Sequence, residues 1–340
     1  MDYINYVKES PMMGQIGLGG GATSLGRYGS AAGADAFRGD RAIMGFANKY
    51  PSDPRTSTIY YWNIASTGNS SYFGALTQAR ANGASTSGGG GADDSTRSVF
   101  GSGYNASPGS SNVLDYVTIA NTGNASDFGD LNYESANPGG ACSNGARGIF
   151  ANGFGSASTY APTGRIDYFE IATTGNASDF GDYGNQAGTY GQYWGSACGS
   201  DKGRGLIGGT GGPTHKYIWY VQIDTAANAN GFGYLTQQRN PTAACGDGER
   251  GTWWGNGSYG TIDYVTMATT GNATDFGDME VNVDYQGGCS NDTRGTIAGG
   301  QNDDGFKNNI QYVTIANTGN ASAFGTIGAQ RLMGNGGSGD

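Results

Sequence analysis

Histidine is all but missing from this 340-residue chain, with His215 the single copy. A Ser-His-Asp triad or a histidine-lined metal site therefore has no footing. Charge is scarce too: Asp, Glu, Lys and Arg make up 14% of the residues, and acids outnumber bases for a net −10. A nucleic-acid binder needs a basic face to displace counterions, so that class is excluded. Only 8 prolines occur, and no Gly-X-Y period runs through the chain, so its 65 glycines are not those of collagen. No run of 18 apolar residues exists, and no membrane insertion is expected. Residues 1–23 lack the apolar core and basic start of a signal peptide, so synthesis and assembly in a cytoplasm are expected. Disorder is the last exclusion. Such segments are poor in aromatics, and here there are 13 Phe, 22 Tyr and 5 Trp.

What the chain does have is a repeat, and the repeat decides the fold class. Six phrases align, among them Asp-Tyr-Val-Thr-Ile-Ala-Asn-Thr-Gly-Asn-Ala-Ser-Asp-Phe-Gly-Asp from Asp115 and its close copies from Asp167 and Asp263. Looser copies begin at Tyr60, Trp219 and Gln311. Phe73, Phe128, Phe180, Phe232, Phe276 and Phe324 mark the register, at spacings of 55, 52, 52, 44 and 48 residues. A second phrase precedes each one: an arginine (Arg41, Arg97, Arg147, Arg204, Arg250, Arg294), a short apolar run, then a small residue.

Tyr-Val-Thr-Ile alternates with period two and is β-branched, which predicts a strand. Thr-Gly-Asn reads as a turn of residues that tolerate positive φ, and Phe-Gly-Asp opens another strand. With the arginine strand and one more, such as Ala243–Cys245, each unit holds four short strands. Four strands per ~45–55 residues is the blade of a β-propeller. The expectation is an all-β, six-bladed propeller of four-stranded antiparallel blades, with the arginine strand innermost. An N-terminal outer strand near Gly26–Phe37 is expected to close the ring and remove its open edge. The corresponding division is an extended arm over 1–23, a propeller over 24–331 and a flexible glycine-rich tail over 332–340.

Several residues invite a functional reading beside a plainer one. Cys142, Cys198, Cys245 and Cys289 precede their arginines by five or six residues, in a slot filled by Ala92 and Ala36 elsewhere. Cysteine alternating with alanine points to small buried packing residues, and equivalent positions in neighbouring blades lie too far apart for a disulfide. The six arginines either form an anion-binding ring or lock blade to blade through acids or carbonyls; Asp127, Asp130, Asp179, Asp182, Asp275 and Asp278 are available acids. Those aspartates suit calcium or turn capping, but no Asp-x-Asp-x-Asp-Gly loop is present, and no metal is assigned. Trp254 replaces a Gly or Ala found in the other units, and either stacks on a sugar or fills space between blades. Tyr259, Tyr193 and Trp194 join it as candidate carbohydrate contacts. No catalytic residue and no cofactor are assigned.

The Gly-Gly ends of several arginine strands, the Asp-Tyr pairs and the arginine before each blade resemble kelch-like repeats. The longer Asp-Tyr-Val-Thr-Ile-Ala-Thr/Asn-Thr-Gly-Asn-Ala-Ser/Thr-Asp-Phe-Gly-Asp phrase is similar to a repeat of virion structural proteins of marine tailed bacteriophages, including those of cyanobacteria. The resemblance covers roughly residues 24–331 and implies a virion structural, tail-fibre-like protein that is not an enzyme. It implies other virion proteins as partners, with Tyr3, Tyr6, Val7, Met12 and Met13 of the arm as docking residues, although a plain unstructured terminus fits that composition equally. Host-surface polysaccharide is a further expected partner, met by loops at 49–57, 103–112, 154–163 and 301–309. A capsid- or tail-decorating protein and a free propeller lectin are the alternatives.

Overall fold

A computed structural model describes residues 39–45, 55–81, 84–88, 97–105, 109–135, 140–151, 164–184, 196–199, 203–210, 216–239, 241–256, 259–328 and 336–338. Among them there is no helix, and the strands form six four-stranded antiparallel sheets with one small hairpin. Sheet I holds β1 (Arg41–Met44), β2 (Thr56–Asn63) and β3 (Ser71–Arg80). Sheet II holds β4 (Ala84–Gly88), β5 (Arg97–Gly101), β6 (Ser111–Thr118) and β7 (Ser126–Ser135). Sheet III holds β8 (Gly140–Ser143), β9 (Arg147–Ala151), β10 (Arg165–Glu170) and β11 (Ser178–Asp182). Sheet IV holds β12 (Ser196–Gly199), β13 (Arg204–Thr210), β14 (Tyr217–Gln222) and β15 (Asn230–Tyr234). Sheet V holds β16 (Ala243–Gly246), β17 (Arg250–Asn256), β18 (Tyr259–Thr266) and β19 (Thr274–Asp278). Sheet VI holds β20 (Gly287–Ser290) and β21 (Arg294–Ala298), then β24 (Asn309–Thr314) and β25 (Ser322–Thr326). Between β21 and β24, β22 (Gln301–Asn302) and β23 (Gly305–Phe306) form the hairpin, within a stretch expected to be a loop. Finally β26 (Gly336–Ser338) returns to sheet I beside β1.

Strand order corrects two expectations. The arginine strands are second in each sheet, and the edge strand is the one that carries cysteine. Only a short turn joins Ala243–Gly246 to Arg250, so the two pair as a hairpin, Cys245 facing Thr252. A short connection makes chain neighbours sheet neighbours. In sheet II the ladder position of the cysteines is held by Thr86, opposite Val99, and in sheet I by Gly337, opposite Ile43. Neither alanine assigned to that slot, Ala36 or Ala92, lies within the described residues. The second correction concerns closure. The strand completing sheet I on the β1 side comes from the C-terminal segment, not the N-terminus, and so part of the expected flexible tail is strand. Gly26–Phe37 lies outside the described residues, as does the whole of 1–23.

The edge strands meet one another in sequence. β4 lies beside β8, β8 beside β12, β12 beside β16, β16 beside β20, β20 beside β26, and β26 beside β4. Between successive sheets sit six apolar cores, each drawing side chains from both. The core between sheets I and II joins Ile43, Ile59, Phe73 and Leu76 to Phe100, Val117 and Ile119. The one between VI and I joins Ile310, Phe324 and Ile327 to Ala42, Met44, Trp62 and Ile64. In every sheet the outer strand bulges at the register phenylalanine, shown by the slip in pairing with the central strand. The extra residue turns that ring inwards, where it is buried edge-on to a tyrosine of its own sheet, as in Tyr116–Phe128 and Tyr264–Phe276.

The glycine after each of these phenylalanines has a packing reason. A Cβ on Gly74 would run into the backbone of Gly123 in the next sheet, and one on Gly325 into that of Gly68. Gly129, Gly181, Gly233 and Gly277 are crowded in the same way by residues 175, 227, 271 and 319. The turn glycines on the other side are different. A Cβ on Gly123 meets nothing within 4 Å, and Ala227 already occupies that slot in sheet IV. Of the five Thr-Gly-Asn glycines only Gly319 has a positive φ, at 158°, and Gly68, Gly123, Gly175 and Gly271 do not, contrary to the turn chemistry expected of four of these phrases. We therefore expect Gly74→Ala to cost roughly 1–3 kcal/mol through overpacking and Gly123→Ala to change stability little. Urea denaturation of the two variants beside the parent checks the contrast.

Candidate functional site

The most regular constellation is the set of register arginines, and it joins sheets. Arg41 Nη1 donates to Ile119 O at 2.8 Å and Ala120 O at 2.6 Å in the following sheet. Arg97 reaches the carbonyls of Ile171 and Ala172, and Arg147 those of Ile223 and Asp224. Arg204 reaches Met267 O, and Arg250 the carbonyls of Ile315 and Ala316. Arg294 then donates to Ile64 O and Ala65 O, back in sheet I. Each guanidinium also lies over a tyrosine of its own sheet, from 4.4 Å for Arg147–Tyr168 to 5.1 Å for Arg41–Tyr61. Such charge-assisted bonds cap carbonyls at the end of a strand, and the stacked ring holds the planar group in place.

None of the six arginines is ion-paired with the aspartates of the Asp-Phe-Gly-Asp phrases. Arg147 pairs instead with Glu170 in its own sheet, at 2.8 Å. Among the described residues no group of three or more His, Cys, Asp and Glu is arranged to hold a metal ion. Around the phrase it is backbone that engages the next sheet. Asn124 Oδ1 accepts from Ala75 N, Asn176 Oδ1 from Asp130 N, Asn228 Oδ1 from Asp182 N, Asn320 Oδ1 from Asp278 N and Asn69 Oδ1 from Thr326 N. The asparagine of Thr-Gly-Asn is thus a clasp on the outer strand of the preceding sheet. There it satisfies an N–H that would otherwise face water unpaired.

The central-strand aspartate has a separate task. Asp115, Asp167 and Asp263 are fully buried and bind the chain as it leaves the preceding sheet. Asp167 accepts from Asn132 N and Nδ2, Asp263 from Thr236 N and Oγ1, and Asp115 from Thr77 Oγ1. Gln311 performs the same role, accepting from Glu280 N and Val281 N. Two of these sites hold a buried arginine that the sequence reading passed over. Arg80 Nη2 lies 2.5 Å from Asp115 Oδ2, and Arg239 Nη2 lies 3.0 Å from Asp263 Oδ2, with all four side chains at 0% exposure. Burial pulls both guanidinium pKa values down, and the facing carboxylate opposes that fall. The available signal was the phrase Leu-Thr-Gln-x-Arg, found at 76–80 and again at 235–239.

Of the expected carbohydrate contacts only the Trp254 side chain lies among the described ones. Trp254 is 0% exposed, packed among Cys245, Ile262, Phe276 and Ile297 between sheets V and VI, with Nε1 donating to Thr252 Oγ1 at 2.9 Å. It cannot stack on a sugar. Its slot is small elsewhere because the following sheet intrudes: Phe100 stands against Gly45, Phe150 against Gly101, and the Trp253 indole against Gly208. Beside Trp254 stands Ile297, but Ile207 stands in the same way beside Ala151, and nothing in the structure explains why this slot alone holds an indole. Tyr193 and Trp194 lie outside the described residues, and Tyr259 is described only as part of β18. His215 also lies outside them. Cys142, Cys245 and Cys289 are buried, and burial drives the Cys289 thiol pKa up.

Among these features the buried pairs offer the sharpest test. Removing one partner strands a desolvated charge, so Asp115→Leu is expected to cost roughly 3–5 kcal/mol. Arg80→Met combined with Asp115→Leu recovers most of that loss, because no unpaired charge then remains. A double-mutant cycle in urea measures both. No protein-family model matches the chain, and none of the curated proteins matches it either.

Proposed function

We propose that the six sheets are the blades of one six-bladed, kelch-like β-propeller, and that the protein is a structural component of a tailed-bacteriophage virion, displayed as a tail-fibre-like appendage. The observation that carries the propeller is the arginine series, which passes from sheet to sheet and returns from Arg294 to Ile64. The unbroken succession of edge strands, with β26 beside both β20 and β4, supports it further. In this reading the ring closes through a C-terminal inner strand. Closure of that kind leaves no sheet without a neighbour, which favours resistance to shear and proteolysis in a particle exposed outside a cell.

For the virion role the support is the resemblance of the repeat phrase to phage structural proteins, joined to how its residues are used. Arginine, asparagine and glycine of the repeat are spent on contacts between sheets, tyrosine and phenylalanine pack into the cores the sheets share, and the chemistry left to vary lies in the loops and at strand positions outside these contacts. That is the economy of a display scaffold. The arm over 1–23, with Tyr3, Tyr6, Val7, Met12 and Met13, is the proposed tether to other virion proteins.

Mass spectrometry and cryo-EM of purified particles test the reading. The expected result is the chain present in fixed stoichiometry, as a ring-shaped density attached through its N-terminal segment to a tail or capsid protein. Low copy number fits a fibre and high copy number a shell decoration. Absence of the chain from purified particles would overturn the virion role, and a density without a six-fold ring of sheets would overturn the propeller.

A further inference from the structure

Sheet IV departs from its five sisters in one place. Where they carry Thr58, Val113, Arg165, Thr261 and Asn309, sheet IV has Tyr217. Opposite it, where they carry Ala75, Asp130, Asp182, Asp278 and Thr326, it has Tyr234. Two residues along β14, in the slot of the buried aspartates, stands Trp219. The sister sheets form the same ladder without these rings, so the fold does not require them.

The three side chains share one face. Tyr217 and Tyr234 are a cross-strand pair with ring centroids 4.9 Å apart, and Tyr217 stacks on Trp219 at 6.0 Å with the planes 28° apart. Trp219 is half-buried against the core between sheets III and IV, and its Nε1 is buried without a hydrogen-bond partner among the described residues. The two tyrosines stay open, at 37% and 39% exposure. Beside them Lys216 Nζ lies 5.4 Å from the Tyr234 ring centroid. Other exposed tyrosines differ: among the described residues Tyr72, at 61% and paired across strands with Tyr60, has no stacked ring partner, Tyr104 has the Arg55 guanidinium at 5.4 Å, and Tyr133 is covered by that of Arg165 at 3.6 Å.

We propose that Tyr217 and Tyr234, backed by Trp219 and flanked by Lys216, form a carbohydrate-binding platform for a pyranose of an acidic polysaccharide. The C–H-bearing face of the sugar lies on the tyrosine rings, and a uronate carboxylate reaches the Lys216 ammonium. Aromatic faces suit an apolar sugar face, and phenol hydroxyls at their rim serve the ring hydroxyls. A lysine at the edge of the platform, in a chain of net charge −10, favours an anionic sugar locally where the molecule as a whole does not. The platform deepens the reading of the protein as a displayed appendage by naming what the display contacts, but its chemistry does not depend on the particle.

Saturation-transfer NMR on the full-length protein tests it, with trigalacturonate as the acidic probe and cellotriose as the neutral one. Transfer to the ring protons of trigalacturonate is expected, weaker for cellotriose. Tyr234→Asp restores the residue found in three sister sheets and so keeps the fold; it should weaken trigalacturonate binding by roughly tenfold. Lys216→Gln should bring the acidic probe down to the neutral one, and Tyr72→Ala should change nothing. No transfer to either sugar, or transfer unchanged by Tyr234→Asp, overturns the platform. Binding by a protein that is absent from purified particles would leave the platform standing and remove only the virion reading.

Discussion

Every sheet in this protein is left with polar backbone at the ends and outer edges of its strands, and it is the next sheet that satisfies it. The register arginine donates into the carbonyls where a neighbouring central strand ends, and the Thr-Gly-Asn asparagine accepts an N–H of a neighbouring outer strand. A buried aspartate ties down the chain leaving the sheet before. These bonds are short, directional and repeated, and they fix the rotation of one sheet on the next more tightly than apolar packing does alone. Removing water from the cores then adds the larger share of the driving force, since each core is shared between two sheets and no sheet can bury its faces unaided.

The repeat is therefore a set of contacts rather than a set of side chains. Where the contact is with backbone, the residue is nearly invariant along the chain: six arginines, and six Phe-Gly pairs whose glycine lies beneath a neighbouring turn. Where the contact is with another side chain, residues vary in compensating pairs. Phe100 faces Gly45 and Trp253 faces Gly208, so that a missing side chain leaves the space that a ring fills, as a close-packed interior requires. Trp254 beside Ile297 is a bulkier pair than these. Function has the remaining freedom, at positions like Tyr217 and Tyr234 that no neighbouring sheet constrains to the repeat.

Strand content and the number of strands per unit were legible in the sequence, because period-two patterning and a 44–55-residue recurrence are local properties of the chain. The boundary between units was misplaced by one strand, since the cysteine strand opens a sheet rather than ending one. Burial of Cys142, Cys245 and Cys289 was expected, but the alternation with alanine behind that reading is not what the sheets show, since Thr86 and Gly337 hold the equivalent ladder positions. Reading Trp254 as a surface contact failed because a departure from a repeat signals either a ligand or a change in the partner's size. Only the surroundings of the side chain in the folded chain, here Cys245, Ile262, Phe276 and Ile297, separate the two. The Leu-Thr-Gln-x-Arg phrase was visible, yet nothing local shows that its arginine is driven inwards to meet an aspartate 35 residues away.

By itself the sequence determined that six like units exist, that each is four strands, and which residues recur at their junctions. Which strand stands at the sheet edge, which terminus completes sheet I, and whether an aromatic faces a core or water were decided by tertiary structure alone. The reason is physical. Hydrogen-bonding pattern and polarity along a strand are the same whichever neighbour it takes, so the choice rests on loop lengths and on contacts between residues far apart in the chain. Arg294 and Ile64, 230 residues apart, meet only because the sheets between them have already turned through their successive packings.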